Sequence, residues 1–415
     1  MGARYNKARP GGPAVSDIAQ QSPPPTNQCA NLSTASAVFG VTITKLAEAA
    51  AAHKKLQDLA AVDPNIPVVV RVVFEPIQTI DAAAFERELK KYHTAVDMLR
   101  QSSGACVMGA IADSDFMHFY LREVTDPKWP DGYGDYLSWT KRLVKEMGAS
   151  VDIWEVGNEV NGEWYGWAGK AYKKDESEED KNQDPIMSRK RADMRGKIKT
   201  ELDAAYTAVK SLRPDALTAI TLLYNDDGKK DCTEFHEYKM KDWVSSYLTD
   251  NIRGDVDFVL LSYYENKQDC PQVTRSHDRL LTDVFVPLRE VFRNDKTAFG
   301  FGEISYKQDC YKNKDEEYDD EDRNKHSKCR AGQKDYVARY YEKLDRDLSS
   351  SFDTYNQQAG VRKIKYLGGY FYWYFLQDMV LADANRQNPV YNALKKARQS
   401  FRRPVAPKRN QLKVH

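Results

Sequence analysis

Short runs of β-branched and aromatic residues alternate along this chain with longer stretches whose apolar residues recur at helical spacing. The strand-like runs are Ala37–Ile43, Pro67–Glu75, Ala105–Ile111, Val151–Gly157, Leu217–Tyr224, Val256–Tyr263, Thr297–Ile304 and Tyr366–Phe375. Helical periodicity follows them around Leu46–Leu59, Asp81–Leu99, Tyr133–Met147, Ile198–Leu212, Tyr238–Leu248, Leu280–Val291, Tyr336–Phe352 and Val390–Ser400. In Asp81–Leu99, for instance, Phe85, Leu89, Tyr92, Val96 and Leu99 fall on one face of a helix.

Strand alternating with helix requires a mostly parallel sheet, because each helix returns the chain to the same edge. Repeating that unit through the whole chain predicts a closed (β/α)8 TIM barrel, whereas an open doubly wound sheet more often carries a glycine-rich phosphate turn. No G-x-G-x-x-G or P-loop follows any of the runs. One catalytic domain is expected over residues 36–402. Residues 1–35, with Pro10-Gly11-Gly12-Pro13 and Pro23-Pro24-Pro25, read as a linker-like tail, and 403–415 as a short basic tail. The long polar segments lie mainly after strands four to seven, on the side where barrels build their sites.

Charge narrows the classes of partner. With 62 Lys+Arg against 61 Asp+Glu the net charge is +1, which argues against a broad electrostatic grip on nucleic acid or an anionic membrane. No apolar run reaches a membrane span, since even Val68–Phe74 is interrupted by Arg71. The N-terminus lacks the layout of a signal peptide, so the expectation is an intracellular chain or one whose leader is missing from the sequence. The six cysteines, Cys29, Cys106, Cys232, Cys270, Cys310 and Cys329, contain no Cys-x-x-Cys pair. Disulfides 232–270 and 310–329 would staple loops in the second half, and they carry the expectation of a secreted, periplasmic or extracellular location; reduced thiols without a role are the alternative. Asn31-Leu32-Ser33 is a glycosylation sequon only in a eukaryotic secretory host.

Two segments carry chemistry. Trp154-Glu155-Val156-Gly157-Asn158-Glu159 ends strand four with a carboxylate beside an amide, and Phe299-Gly300-Phe301-Gly302-Glu303 ends strand seven with another carboxylate. Such groups at a barrel mouth are costly for stability alone. Strands four and seven face each other, and two opposed carboxyl groups are what glycoside hydrolysis requires. One must be a neutral acid that protonates the leaving oxygen, and the other an ionised nucleophile, a form that a guanidinium such as Arg71 favours.

On these residues the chain resembles the retaining glycoside hydrolases of clan A, which are (β/α)8 barrels. The resemblance implies Glu159 as acid/base, Glu303 as nucleophile, Asn158 on the sugar 2-hydroxyl and Arg71 orienting the nucleophile. It also implies Tyr264 touching the nucleophile and Trp373 as a sugar platform. The chain departs from the clan where Ser262 stands in place of a histidine and Val160 in place of a proline. Trp164 is a second expected platform; Tyr165, Trp167, Phe116, Phe119, Tyr120 and Trp129 also follow strand ends, where rings serve equally as packing beneath loops.

Simpler readings compete at several positions. Strict alternation puts 153, 155, 157 and 159 on one face, so Glu155 is expected deeper, paired with an arginine, and neutralising Glu155 is the alternative role of Arg71. Asp315–Asp322 lacks calcium-loop spacing, Asn225-Asp226-Asp227-Gly228 reads as a turn, and the histidines form no H-x-x-x-H pair. Lys45 and Lys365 lie away from strand ends, against a Schiff-base enzyme. No metal and no organic cofactor are expected. The expected activity is retaining cleavage of O-glycosidic bonds in a polysaccharide or oligosaccharide by an endo-acting monomer. Exo-action, transglycosylation on the same carboxylates and a carbohydrate-binding barrel without catalysis are the alternatives.

Overall fold

Each of the strand-forming runs pairs in parallel with the next, and the last pairs back onto the first, so the sheet closes. The computed structural model describes residues 29–77, 81–114, 135–162, 185–224, 240–263, 277–304, 332–373, 375, 379–380 and 388–401, except the side chains of 102, 185–195, 277 and 278. The strands are β1 (Val38–Ile43), β2 (Val68–Val73), β3 (Cys106–Ala110), β4 (Ile153–Glu155), β5 (Leu217–Leu223), β6 (Phe258–Tyr263), β7 (Ala298–Ile304) and β8 (Lys365–Tyr372). The closed eight-stranded barrel is the fold that the sequence pattern predicts.

Local chemistry sets the helix ends. Ala82–Ser103 begins where the Asp81 carboxylate accepts from Ala83 N, and it stops at Gly104, whose φ of 67° suits a residue without a Cβ. Pro389–Ser400 starts with Pro at its first turn, and Asn388 accepts from Val390 N and Tyr391 N. One helix departs from expectation: Pro185–Leu212 begins inside the charged stretch that reads as a connection. Its Lys, Arg, Met and Ala residues are strong helix formers, so charge density there misleads about secondary structure. Thr249 caps a further short helix, Asp250–Asp255. None of the helices among the described residues is long and apolar enough to cross a membrane.

The apolar residues divide into an outer layer between strands and helices and an inner set that fills the lower barrel. Val38, Val69, Met108, Ile153, Ala219, Phe258, Leu260, Ala298, Leu367 and Phe371 form that inner set. Two positions farther along the same inward face, polar side chains take over: Val69 is followed by Arg71, Ile153 by Glu155, Ala219 by Thr221 and Leu260 by Ser262. All four of these polar residues are buried. The period-two alternation of a strand therefore builds an apolar base and a polar upper storey.

Residues 29–35 correct the expected tail. Cys29–Thr34 forms a 3-10 turn, and Leu32 inserts among the inner apolar residues at the base of the barrel. The scarcity of apolar residues hides this plug, because a single leucine anchors it. Cys29 is disulfide-bonded to Cys106 at the start of β3. Sequence reasoning paired other cysteines; Cys232, Cys270, Cys310 and Cys329 lie outside the described residues.

Candidate active site

Two breaks in strand alternation bring the key side chains together. After β4 the chain stays bonded to β5, with Val156 N donating to Ala219 O at 2.9 Å and Thr221 N to Gly157 O at 2.8 Å. Strict alternation would point 157 inward. Instead a Cβ on Gly157 would meet Val160, Leu202 and Ile220 of the outer layer, while Asn158 and Glu159 are both buried at the barrel mouth. Glu159 reaches it with a φ of 48°, a conformation that costs a non-glycine residue about 1–2 kcal/mol and that clusters at functional sites.

The second break lies between β6 and β7. Leu261 is opposite Phe301, but the next residue, Ser262, is opposite Glu303, so Gly302 is an extra residue on β7. A Cβ on Gly302 would lie 2.8 Å from Thr221 Oγ1 and 2.9 Å from Leu260 Cβ, so only glycine fits there. The slip sets the Ser262 hydroxyl beside the Glu303 carboxylate.

These side chains form one buried network. Arg71 Nε donates to Glu155 Oε2 at 2.6 Å, and Thr221 Oγ1 donates to Glu155 Oε1. The same guanidinium reaches the other way: Arg71 Nη2 lies 3.0 Å from Glu303 Oε1, an ion pair without the alignment of a hydrogen bond. Asn158 Nδ2 donates to Glu303 Oε1 at 2.6 Å, and Asn158 Oδ1 accepts from Ser114 N at 3.0 Å, which fixes the amide's orientation. Ser262 Oγ lies 3.2 Å from Glu303 Oε2 and also within hydrogen-bond reach of Glu159 Oε1. Oxygens that share one hydroxyl can be no more than roughly 6 Å apart, two hydrogen bonds end to end. Glu303 and Glu159 are 3% and 7% exposed, so both are withdrawn from bulk solvent.

Burial alone would lower the basicity of Arg71, but Glu155 first, then Glu303, and Asp113 more weakly hold its pKa well above the ordinary value. The guanidinium is therefore a fixed positive charge. Trp373 covers it, with the ring centroid 5.2 Å from Arg71 Cζ, and Trp373 N donates to Ile304 O at 2.9 Å.

Of the residues singled out from sequence, Arg71, Asn158, Glu159, Glu303 and Trp373 converge at the C-terminal mouth of the barrel, and Glu155 sits beneath them paired with Arg71. Tyr264 and Trp164 lie outside the described residues, as do Phe116, Phe119, Tyr120, Trp129, Tyr165 and Trp167. Sequence reasoning missed Ser114, Asp113 and Thr221. Their signal was available, since each is a polar residue at or just beyond the inward end of an apolar strand. Among the described residues, metal-ligating side chains gather only at Cys29, Cys106 and Asp152, where the two sulfurs are joined to each other.

No protein-family model matches the chain, and no curated protein is significantly similar to it. Similar chains are found among solved structures. The chain is similar to a family 1 β-glucosidase from Thermotoga maritima in complex with isofagomine lactam, at 12% identity and a TM-score of 0.45, covering 81% of this chain and 88% of that one. It is also similar to a GH53 catalytic domain from Ignisphaera aggregans at 13% identity and a TM-score of 0.44, covering 88% and 96%. A third is the AHE enzyme from Alicyclobacillus herbarius, at 12% identity and a TM-score of 0.45, covering 82% and 89%.

Proposed function

We propose that this protein is a glycoside hydrolase that cleaves with retention of configuration, using Glu159 as acid/base and Glu303 as nucleophile. One observation carries the reading: a single buried hydroxyl, that of Ser262, lies within hydrogen-bond reach of both carboxylates. The resulting limit of roughly 6 Å between the near oxygens suits the ~5–5.5 Å carboxyl separation of retaining enzymes.

The roles follow from the partners. Arg71 and Asn158 both act on Glu303 Oε1 and favour the ionised form that attacks the anomeric carbon. Glu159 protonates the departing glycosidic oxygen. Once Glu303 is esterified its charge is gone, so Glu159 becomes the base that takes a proton from water. The Asn158 amide, fixed from behind by Ser114, is placed to hold a sugar hydroxyl beside the nucleophile. Trp373 offers a ring on which an apolar sugar face can stack.

The segments after β3 and β4 are long and rich in Trp, Tyr and Phe, which supports an endo-acting enzyme on a polysaccharide or oligosaccharide. The Cys29–Cys106 disulfide supports an oxidising, extracytoplasmic location.

The test is a screen over diverse polysaccharides with chromatography of the products, followed by an activated 2-deoxy-2-fluoro glycoside of the sugar found. Covalent labelling of the peptide that contains Glu303 is the expected result. Full hydrolysis by both Glu159→Gln and Glu303→Gln would end the proposal.

A further inference from the structure

A serine hydroxyl has one hydrogen and two lone pairs, whereas an ionised carboxylate can only accept. Ser262 Oγ is fully buried and lies against Glu159 Oε1 on one side and Glu303 Oε2 on the other. With both carboxylates ionised, one hydrogen would have to serve two acceptors, and the second oxygen would face a lone pair. Both contacts are favourable together only if one glutamate carries a proton and donates it to Ser262, whose own hydrogen then goes to the other. The donors on Glu303 decide the direction, since Arg71 and Asn158 favour its ionised form.

We propose that Ser262 is a positioning residue that acts as a one-hydrogen switch, its hydroxyl turning toward whichever of Glu159 and Glu303 is charged. This rests on the reading of those two residues as acid/base and nucleophile. In the free protein the chain of donation runs from the Glu159 carboxyl to Ser262 Oγ and from Ser262 to Glu303. When a glycoside is cleaved, the Glu159 proton goes to the leaving oxygen, the bond from that oxygen to the anomeric carbon breaks, and a Glu303 oxygen bonds to the carbon. Glu159 is then the anion, and the hydroxyl turns to it. Water attack reverses each change: its oxygen bonds to the carbon, its proton goes to Glu159, and Glu303 leaves as carboxylate. Ser262 keeps its own hydrogen throughout.

The surroundings supply the bias. Among the described residues, Arg71 on β2 is the cation, and Asp113 beyond β3 and Glu155 on β4 are further carboxyl groups. Among the described residues, Glu155, Glu303 and Asp113 all act on this one guanidinium, while Glu159 lies beyond them against Ser262. The β6–β7 slip that aligns Ser262 with Glu303 is the structural device that makes the switch reachable.

The experiment is pH-difference infrared spectroscopy on the free full-length protein, with the carboxyl band of Glu159 assigned by its loss in Glu159→Gln. The pH profile of kcat/KM on the best glycoside is measured alongside. Without the hydroxyl, Glu303 loses a donor and titrates higher, while protonated Glu159 loses an acceptor and titrates lower. Ser262→Ala is therefore expected to narrow the profile by about one pH unit on each limb, and Ser262→Thr to restore it. A purely structural role would lower the rate and leave the two limbs in place. Ser262→Gly, read the same way, replaces the alanine variant if it does not fold. Identical titrations in wild type and Ser262→Ala overturn the proposal. A spread pair of titrations that collapses in Ser262→Ala, in a protein that cleaves no glycoside, supports the switch and removes the glycosidase reading alone.

Discussion

Arg71 Nε and Glu155 Oε2 lie 2.6 Å apart with neither side chain exposed, while the remaining reach of the same guanidinium extends to Glu303. Glu155 therefore anchors the arginine that holds the proposed nucleophile. Arg71→Met would leave two buried carboxylates without their cation, and removing one partner of a buried pair costs about 3–5 kcal/mol. Urea unfolding should show that loss. Glu155→Gln keeps an oxygen that accepts from Arg71 and gains an amide nitrogen that can donate to Thr221 Oγ1, so its loss is expected to be smaller. Because Glu155 does not touch substrate in this scheme, that variant should also hydrolyse far faster than Glu159→Gln or Glu303→Gln. Equal inactivation by all three would make Glu155 a member of the reacting set.

Glu159 is expected to matter in proportion to the need for leaving-group protonation. General acid catalysis contributes about 10²–10⁴-fold, so Glu159→Ala should lose that factor on a natural glycoside. With an activated aryl glycoside, whose phenolate leaves unaided, the first step should be nearly intact and the second step slow. Burst kinetics separate the two. Uniform loss on both substrates would assign the acid elsewhere.

The barrel was legible because period two and period 3.6 persist through the whole chain. Glu303 and Arg71 were legible as polar residues within or at the ends of apolar strands, and Asn158 through the Asn-Glu pair that follows strand four. The finer geometry was not. Asn158 and Glu159 share the mouth only because the chain leaves alternation at Gly157, and Ser262 meets Glu303 only because Gly302 is inserted. Both are irregularities of pairing between strands distant in sequence, which no local pattern encodes. The plug at Leu32 failed to register for a related reason. The apolar cluster it joins, with Val69, Met108 and Phe258 among its members, is supplied by the finished barrel.

Glycine at 300 is a packing requirement, unlike glycine at 196. A Cβ on Gly300 would lie 2.6 Å from the Gly368 carbonyl oxygen, which belongs to the β8 backbone and cannot swing aside. Gly300→Ala should destabilise by about 1–3 kcal/mol or more, as overpacking does. Gly196 lies within Pro185–Leu212 with nothing inside 4 Å of its would-be Cβ, so Gly196→Ala should stabilise by about 0.5–1 kcal/mol. Thermal unfolding of the two variants beside wild type is the comparison, and shifts of the same sign would contradict this packing.

The Cys29–Cys106 bond closes a loop spanning 77 residues and ties the plug to the first residue of β3. Loop-closure entropy of that length corresponds to about 4–5 kcal/mol, of which disulfides usually deliver about 2–4 kcal/mol. A Cys29→Ser, Cys106→Ala double variant should lose stability in that range under urea. The bond lies at the base of the barrel, so kcat should be unchanged at temperatures where the variant is folded. A double variant as stable as wild type would show that the plug holds by Leu32 packing alone.

Alkaline pH should unfold this protein steeply. Tyr92 is pushed up to about 12, chiefly by burial and then by Glu75 and Glu88. Burial likewise raises Tyr136, Tyr206, Tyr341 and Tyr391 above the ordinary phenol value. Below pH ~10 these phenols are protonated in both folded and unfolded chains, so they add no pH dependence. Above it the unfolded chain releases protons first and binds fewer than the native state, and stability falls with each further rise in pH. Absorbance of tyrosinate and circular dichroism, followed together, should show these phenols ionising as the fold is lost. If instead all of the tyrosines titrate near pH ~10 while the fold persists, the barrel's phenols are not buried as described.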